Sequence, residues 1–257
     1  MKSLYNKSQL WFSITFIIIY IVGTIIFDNI ALILNLPNFL TMLFYIALCV
    51  FLLVFIFKNK LNINYGLCSS PYKSKHFLFF IPLFVLISVN LWFGAQITTN
   101  FIDSLIFIVS MFCVGFLEEI IFRGFLFKAL EKDTGIKPAI IISSLTFGFG
   151  HIINLLTFNA DILPTLLQIG YATTTGFLFV IIFYKGKTLL PCIFTHSIFN
   201  ALSLFLIEVN KTVDIITAVI IMVLTLTYAL ILIKTKNQAK FLVFLYFYNS
   251  YSFLFSV

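Results

Sequence analysis

Charge is scarce in this chain. Only 10% of its 257 residues are Asp, Glu, Lys or Arg, while 61% are hydrophobic, which takes it out of the range of soluble globular domains. Cysteine is scarce as well, with four in total. Cys49, Cys113 and Cys192 fall in apolar stretches and Cys68 in a lysine-bearing connection, so neither a disulfide framework nor a thiolate metal site is expected. No basic run is present to bind nucleic acid, and no internal period indicates a repeat array. There is no His-Glu-x-x-His pair to set two zinc ligands on one helix and no Gly-x-Ser-x-Gly elbow for a serine nucleophile. No small-residue cleavage site follows Phe27, so the first apolar stretch is expected to be a retained span and not a signal peptide.

What is present is a series of apolar stretches, each long enough to cross a hydrocarbon core of about 30 Å. They lie near 10–27, 38–57, 76–95, 101–127, 138–158, 162–184, 188–207 and 213–233. The expected fold is therefore all-α, a polytopic membrane protein of about eight transmembrane helices. Lysines alternate between the connections as such a count requires. Lys2 and Lys7, Lys58 to Lys75, Lys128 to Lys137, Lys185 and Lys187, and Lys234 to Lys240 fall on one side; Asp28, Asp103, Asp161, Glu208 and Asp214 fall on the other, with Lys211 the sole basic residue there. This pattern predicts both termini in the cytoplasm of a bacterial plasma membrane, and it makes the formal charge of +7 largely a topology signal. Residues 1–240 read as one membrane domain with a polar core at 101–207, and 241–257 as an aromatic interfacial segment in preference to a ninth span.

The polar residues inside these apolar stretches are few and expensive. Glu118, Glu119 and Arg123 lie within six residues of one another in the fourth stretch, where each costs roughly 2.5–3.5 kcal/mol on insertion scales. On an α-helix Glu119 and Arg123 share a face and form a structural pair, while Glu118 is turned about 100° away and is left for general acid or base work. Phe147 and His151 are four residues apart, as are His196 and Asn200. Counted from the nearest cytoplasmic lysine at about 1.5 Å per residue, Glu118, His151 and His196 lie at comparable depth and can meet around one intramembrane polar cavity. The chemistry is expected in the middle and later spans. Phe147 is read as packing, Gly148 and Gly150 as allowing close backbone approach or opening the helix where a substrate enters, and Asn154, Asp161 and Gln168 as loop or helix polarity.

The ordered set Glu118-Glu119-x3-Arg123, Phe147-x3-His151 and His196-x3-Asn200 resembles the CPBP family, which includes type II CAAX prenyl proteases and the Abi bacteriocin-processing and immunity proteins. The resemblance covers about residues 101 to 207 and implies an intramembrane endopeptidase. It implies that Glu118 and His151 activate a water, that His196 and Asn200 stabilise the oxyanion, and that Glu119 and Arg123 hold the site in shape. No cofactor is then required. Zinc held by Glu118, His151 and His196 is the alternative the family also raises. The expected partners are the lipid bilayer and a peptide or lipidated-protein substrate. The identity of the substrate is not legible, although the Phe, Ile, Asn and Lys bias hints at an AT-rich genome and so at peptide processing or bacteriocin immunity. Two other classes stay open: a proton-coupled transporter with a Glu/His relay, and a non-catalytic immunity or scaffold protein.

Overall fold

The computed structural model describes residues 1–36, 38–70, 81–157 and 161–234. Among the described residues all regular structure is helical. A short amphipathic start, α1 (Lys2–Lys7), leads into α2 (Gln9–Ile33), whose N-terminus is capped where Ser8 Oγ accepts from the Trp11 N–H. Phe12, Phe16 and Tyr20 recur every four residues on its buried stripe. Ile18, Val22, Ile26 and Ile30 recur on the opposite, exposed one. A helix apolar all round with only one stripe packed against protein is what a lipid-facing span requires.

The chain continues through α3 (Phe39–Lys58), α4 (Ile81–Ser88) with a 3₁₀ turn at Val89–Leu91, and α5 (Phe101–Glu118). Asn100 caps α5 by accepting the Asp103 N–H, and Asp103 lies in the first turn, where a carboxylate suits the helix dipole. After a π-helical segment (Glu119–Leu126) come α6 (Phe127–Thr134), α7 (Ile136–Gly150) and the short α8 (Ile153–Thr157). Gly135, at φ 84°, breaks α6 from α7. The remaining elements are α9 (Ile162–Gly186), α10 (Leu190–Leu202), which has Pro191 in its first turn, and α11 (Lys211–Lys234).

Among the described residues, six helices are long and apolar enough to cross a membrane: Gln9–Ile33, Phe39–Lys58, Phe101–Thr134, Ile136–Leu155, Ile162–Gly186 and Lys211–Lys234. The third and seventh expected spans correspond to shorter apolar helices, Pro82–Leu91 and Leu190–Phe205. The protein is a polytopic, all-helical membrane protein. Residues 76–80 of the third expected span, Pro37, Lys73 and Lys75, and the aromatic segment 241–257 with Lys236 and Lys240 lie outside the described residues.

Helix α7 packs on α9, α9 on α11, α10 on α5, α5 on α3, and α2 on α3 and the π segment. Without water to drive them together, membrane helices associate by close packing at small residues. Gly115 of α5 is one such contact, because a Cβ there would lie 2.3 Å from Ser197 Oγ and 2.6 Å from the Ser197 nitrogen on α10. Gly148 of α7 is another, since its Cβ would lie 2.9 Å from the Ile169 carbonyl of α9. Gly150, expected to serve similarly, has open space around it.

Candidate active site

The α-helical geometry expected for Glu118 to Arg123 gives way to a π-helix beginning at Glu119. The Phe127 N–H reaches the Phe122 carbonyl five residues back, and that carbonyl also accepts from Ser143 Oγ of α7 at 2.9 Å. All eight residues from Glu119 to Leu126 are buried. The wider winding is thus packed on every side by protein, a setting in which π segments commonly mark functional positions.

Glu119 and Arg123 are both fully buried, and the guanidinium Nη1 lies 3.2 Å from the Glu119 carboxylate. The guanidinium carbon also sits 3.8 Å from the centre of the Phe147 ring, a cation–π contact that offsets part of its desolvation. Glu119 has a second partner that the four-residue spacing did not reveal. His196 Nδ1 of α10 lies 2.8 Å from the same Oε1 that faces Arg123. A carboxylate can only accept, so the imidazole proton sits on Nδ1 and the ring is fixed with Nε2 turned to the cavity. That Nε2 lies 3.4 Å from Glu118 Oε2.

Glu118 therefore faces away from Arg123, as its position on the helix predicts. Its other oxygen accepts a 2.9 Å hydrogen bond from the Tyr20 hydroxyl of α2. This corrects the expectation that the polar chemistry belongs to the middle and later spans, because the first long helix supplies a direct contact to the central carboxylate. A signal for it was present: Tyr20, Thr24 and Asp28 recur every four residues in an otherwise apolar helix, and all three line the cavity. Asp28, expected in a loop, lies inside α2 and accepts a hydrogen bond from Thr41 of α3.

The cavity has a volume of about 560 Å³ and holds Glu118, His151, His196, Asn200 and Phe147 in its wall. His151 sits immediately after α7, one turn from Phe147, and the Phe147 ring stands 5.5 Å from the His151 ring and 5.8 Å from that of His196. Phe147 therefore separates the two imidazoles while stacking on Arg123. Asn154 and Gln168, read as incidental polarity, join in a 2.9 Å hydrogen bond on the cavity wall. Asp161 lies away from the cavity at the start of α9, where its carbonyl accepts from Thr165.

The fit of a metal can be tested on the donors themselves. Among the described residues no three His, Cys, Asp or Glu side chains are grouped to hold an ion. Glu118 Oε1 is engaged by Tyr20 and His196 Nδ1 by Glu119, an outer bond of the kind that also orients a metal-ligating histidine, which leaves Glu118 Oε2 and His196 Nε2 as the donors that could turn to an ion. No step is derived through a metal.

Residues 100–202, which include each of these motif positions, match the family described as type II CAAX prenyl endopeptidase Rce1-like. The likeness is confined to this segment, which is less than half of the chain. The Bacillus subtilis (strain 168) protein named "Putative membrane peptidase YdiL" is 36% identical over 96 residues, which is 37% of this chain and 34% of that relative. The chain thus spans about a third of the length of the curated relative it matches. No solved structure matches the chain. Both the matched family and this relative are described as peptidases.

Proposed function

We propose that the chain is a glutamate-dependent intramembrane endopeptidase acting on a membrane-associated peptide or lipidated protein. The observation that carries this reading is the Glu118 carboxylate, steadied on one oxygen by Tyr20 and facing His196 with the other, at a cavity wall shared with His151. In this mechanism a water between Glu118 and His151 gives a proton to Glu118 as its oxygen bonds to the scissile carbonyl carbon. The carbonyl oxygen becomes an oxyanion held by Nε2–H of His196 and the side-chain amide of Asn200. When the C–N bond breaks, the proton on Glu118 passes to the departing nitrogen, leaving a carboxylic acid and an amine.

The roles divide by chemistry. Glu118 is the general base and then the acid, a contribution of about 10²–10⁴-fold. His196 suits the oxyanion because Glu119 holds its ring with Nε2 turned to the cavity, and that nitrogen donates when both ring nitrogens carry hydrogen. Glu119 and Arg123 act through His196 and Phe147 and not on the substrate. Processing of a peptide precursor or defence against a bacteriocin are the cellular roles that fit such a cleavage.

The test compares cleavage of a panel of membrane peptides by the wild-type chain and Glu118→Gln in detergent, each with and without a chelator. Cleavage by wild type alone supports the mechanism. Equal cleavage by both proteins overturns it, and activity lost to chelator and restored by zinc replaces it with a metal-dependent one. Solute movement into vesicles without peptide cleavage would instead support the transporter reading.

A further inference from the structure

Helices α2, α3, α7 and α10 wall the cavity with the half farther from their lysines. Helix α2 starts beside Lys2 and Lys7, yet its lining residues run from Tyr20 to Asp28, in its later half. Helix α3 ends at Lys58, and its lining residues are Thr41 and Tyr45, near its start. Helix α7 follows the Lys132–Lys137 region and lines the cavity only from Phe147 onward. Helix α10, which follows Lys187, lines it from Thr195, while α9, with Lys185 in its last turn, lines it through its middle, from Gln168 to Phe179.

Polar side chains form ladders along this half. Tyr20, Thr24 and Asp28 rise on α2, and His196, Asn200 and Ser203 on α10. Polar atoms in a membrane helix face a partner or water. On the opposite, lysine-bearing side of Glu118 the chain is closed by Ile120, Ile121, Phe122, Phe125 and Leu126, each no more than 4% exposed. A smaller depression adjoins the cavity through Asn90 and Leu206 and is lined by Glu208 and Asp214, carboxylates of the lysine-poor side.

The lysine-rich ends face the cytoplasm by the positive-inside rule. We infer that the cavity opens to the extracytoplasmic face and that its substrate is an extended polypeptide segment presented there, not a cytoplasmic chain terminus. A volume of about 560 Å³ is that of a site for a few residues of unfolded chain and is too small for a folded domain. The inference deepens the endopeptidase reading and rests on it for the word substrate. The direction of the opening stands on geometry and charge alone.

The experiment uses the full chain in membrane vesicles, with Cys49, Cys113 and Cys192 replaced by alanine. Cys68 is kept, and a Lys58→Cys variant adds a second reporter on the lysine-bearing side. Thr24→Cys and Ser203→Cys place single thiols in the cavity wall, and a membrane-impermeant maleimide is applied to right-side-out and inverted vesicles. The expected result is labelling at positions 24 and 203 in right-side-out vesicles and loss of it on inversion, with the reverse pattern at 58 and 68. Labelling of the wall positions from the same side as 58 and 68, or from neither side, overturns the inference. Outer-side labelling together with undiminished cleavage by Glu118→Gln would leave the opening in place and remove the catalytic assignment, so the two failures are distinguishable.

Discussion

The substitution Gly115→Ala tests how the two glutamates and His196 come to meet, since it adds one methyl group at the contact of α5 with α10 and alters no ionisable side chain. The new Cβ would stand 2.6 Å from the Ser197 nitrogen and 2.7 Å from its Cα, both backbone atoms that no side-chain rotation can move. Ordinary contact begins at 3.4 Å, so α5 and α10 must part by about 0.8 Å. Overpacking of this kind costs about 1–3 kcal/mol. For a chain of this size that corresponds to a fall in Tm of roughly 2–12 °C, using about 2–4 °C per kcal/mol. The functional effect should be larger, because His196 is the residue next to Ser197, and its 2.8 and 3.4 Å contacts to Glu119 and Glu118 span the gap being opened. A displacement near 1 Å in a catalytic group can cost about 10²-fold in rate. Thermal unfolding in detergent and turnover of a cleaved peptide are measured side by side, with Gly150→Ala as control because its Cβ meets nothing within 4 Å. If Gly115→Ala retains wild-type turnover and Tm, the α5–α10 approach does not set the site.

Glu119→Gln should lower stability by about 3–5 kcal/mol by leaving Arg123 charged and buried without its counter-ion. The double variant Glu119→Gln/Arg123→Met should recover most of that loss in a Tm measurement while staying inactive, since His196 still lacks its carboxylate; recovery of activity would contradict the orienting role given to Glu119. Tyr20→Phe removes a hydrogen bond to a charged group, worth about 1.5–3 kcal/mol, so Tm should fall by roughly 3–12 °C and, with the base no longer steadied, kcat by about ten- to a hundredfold. An unchanged kcat would make Tyr20 a bystander. Gly66→Ala should destabilise the loop that follows α3, because Gly66 has φ 68° and its Cβ would lie 2.7 Å from the Leu189 nitrogen. Faster protease nicking near residue 66, with the spans intact, would register it.

Much was readable before any coordinates. Hydropathy dictates which stretches are helices in a membrane, because an unpaired backbone polar group in hydrocarbon is too costly for any other form. Lysine alternation orders them. The price of burying Glu118, Glu119 and Arg123 singled out the functional region, and helical spacing separated Glu118 from the Glu119–Arg123 pair. The lengths of the third and seventh spans were less legible, as apolar composition does not say where a helix unwinds into a 3₁₀ turn such as Val89–Leu91 or Ser203–Phe205.

The sequence by itself determined a helical membrane protein, its motif residues and the two different settings of its adjacent glutamates, since these follow from local periodicity and the cost of burial. Tertiary structure alone decided the π winding at Glu119, the bond from Tyr20 to Glu118, the second partner of Glu119 and the set of helices that wall the cavity. Those depend on which helices touch. Tyr20 and Glu118 are 98 residues apart and Glu119 and His196 are 77 apart, and no periodicity within one helix records a contact made between two.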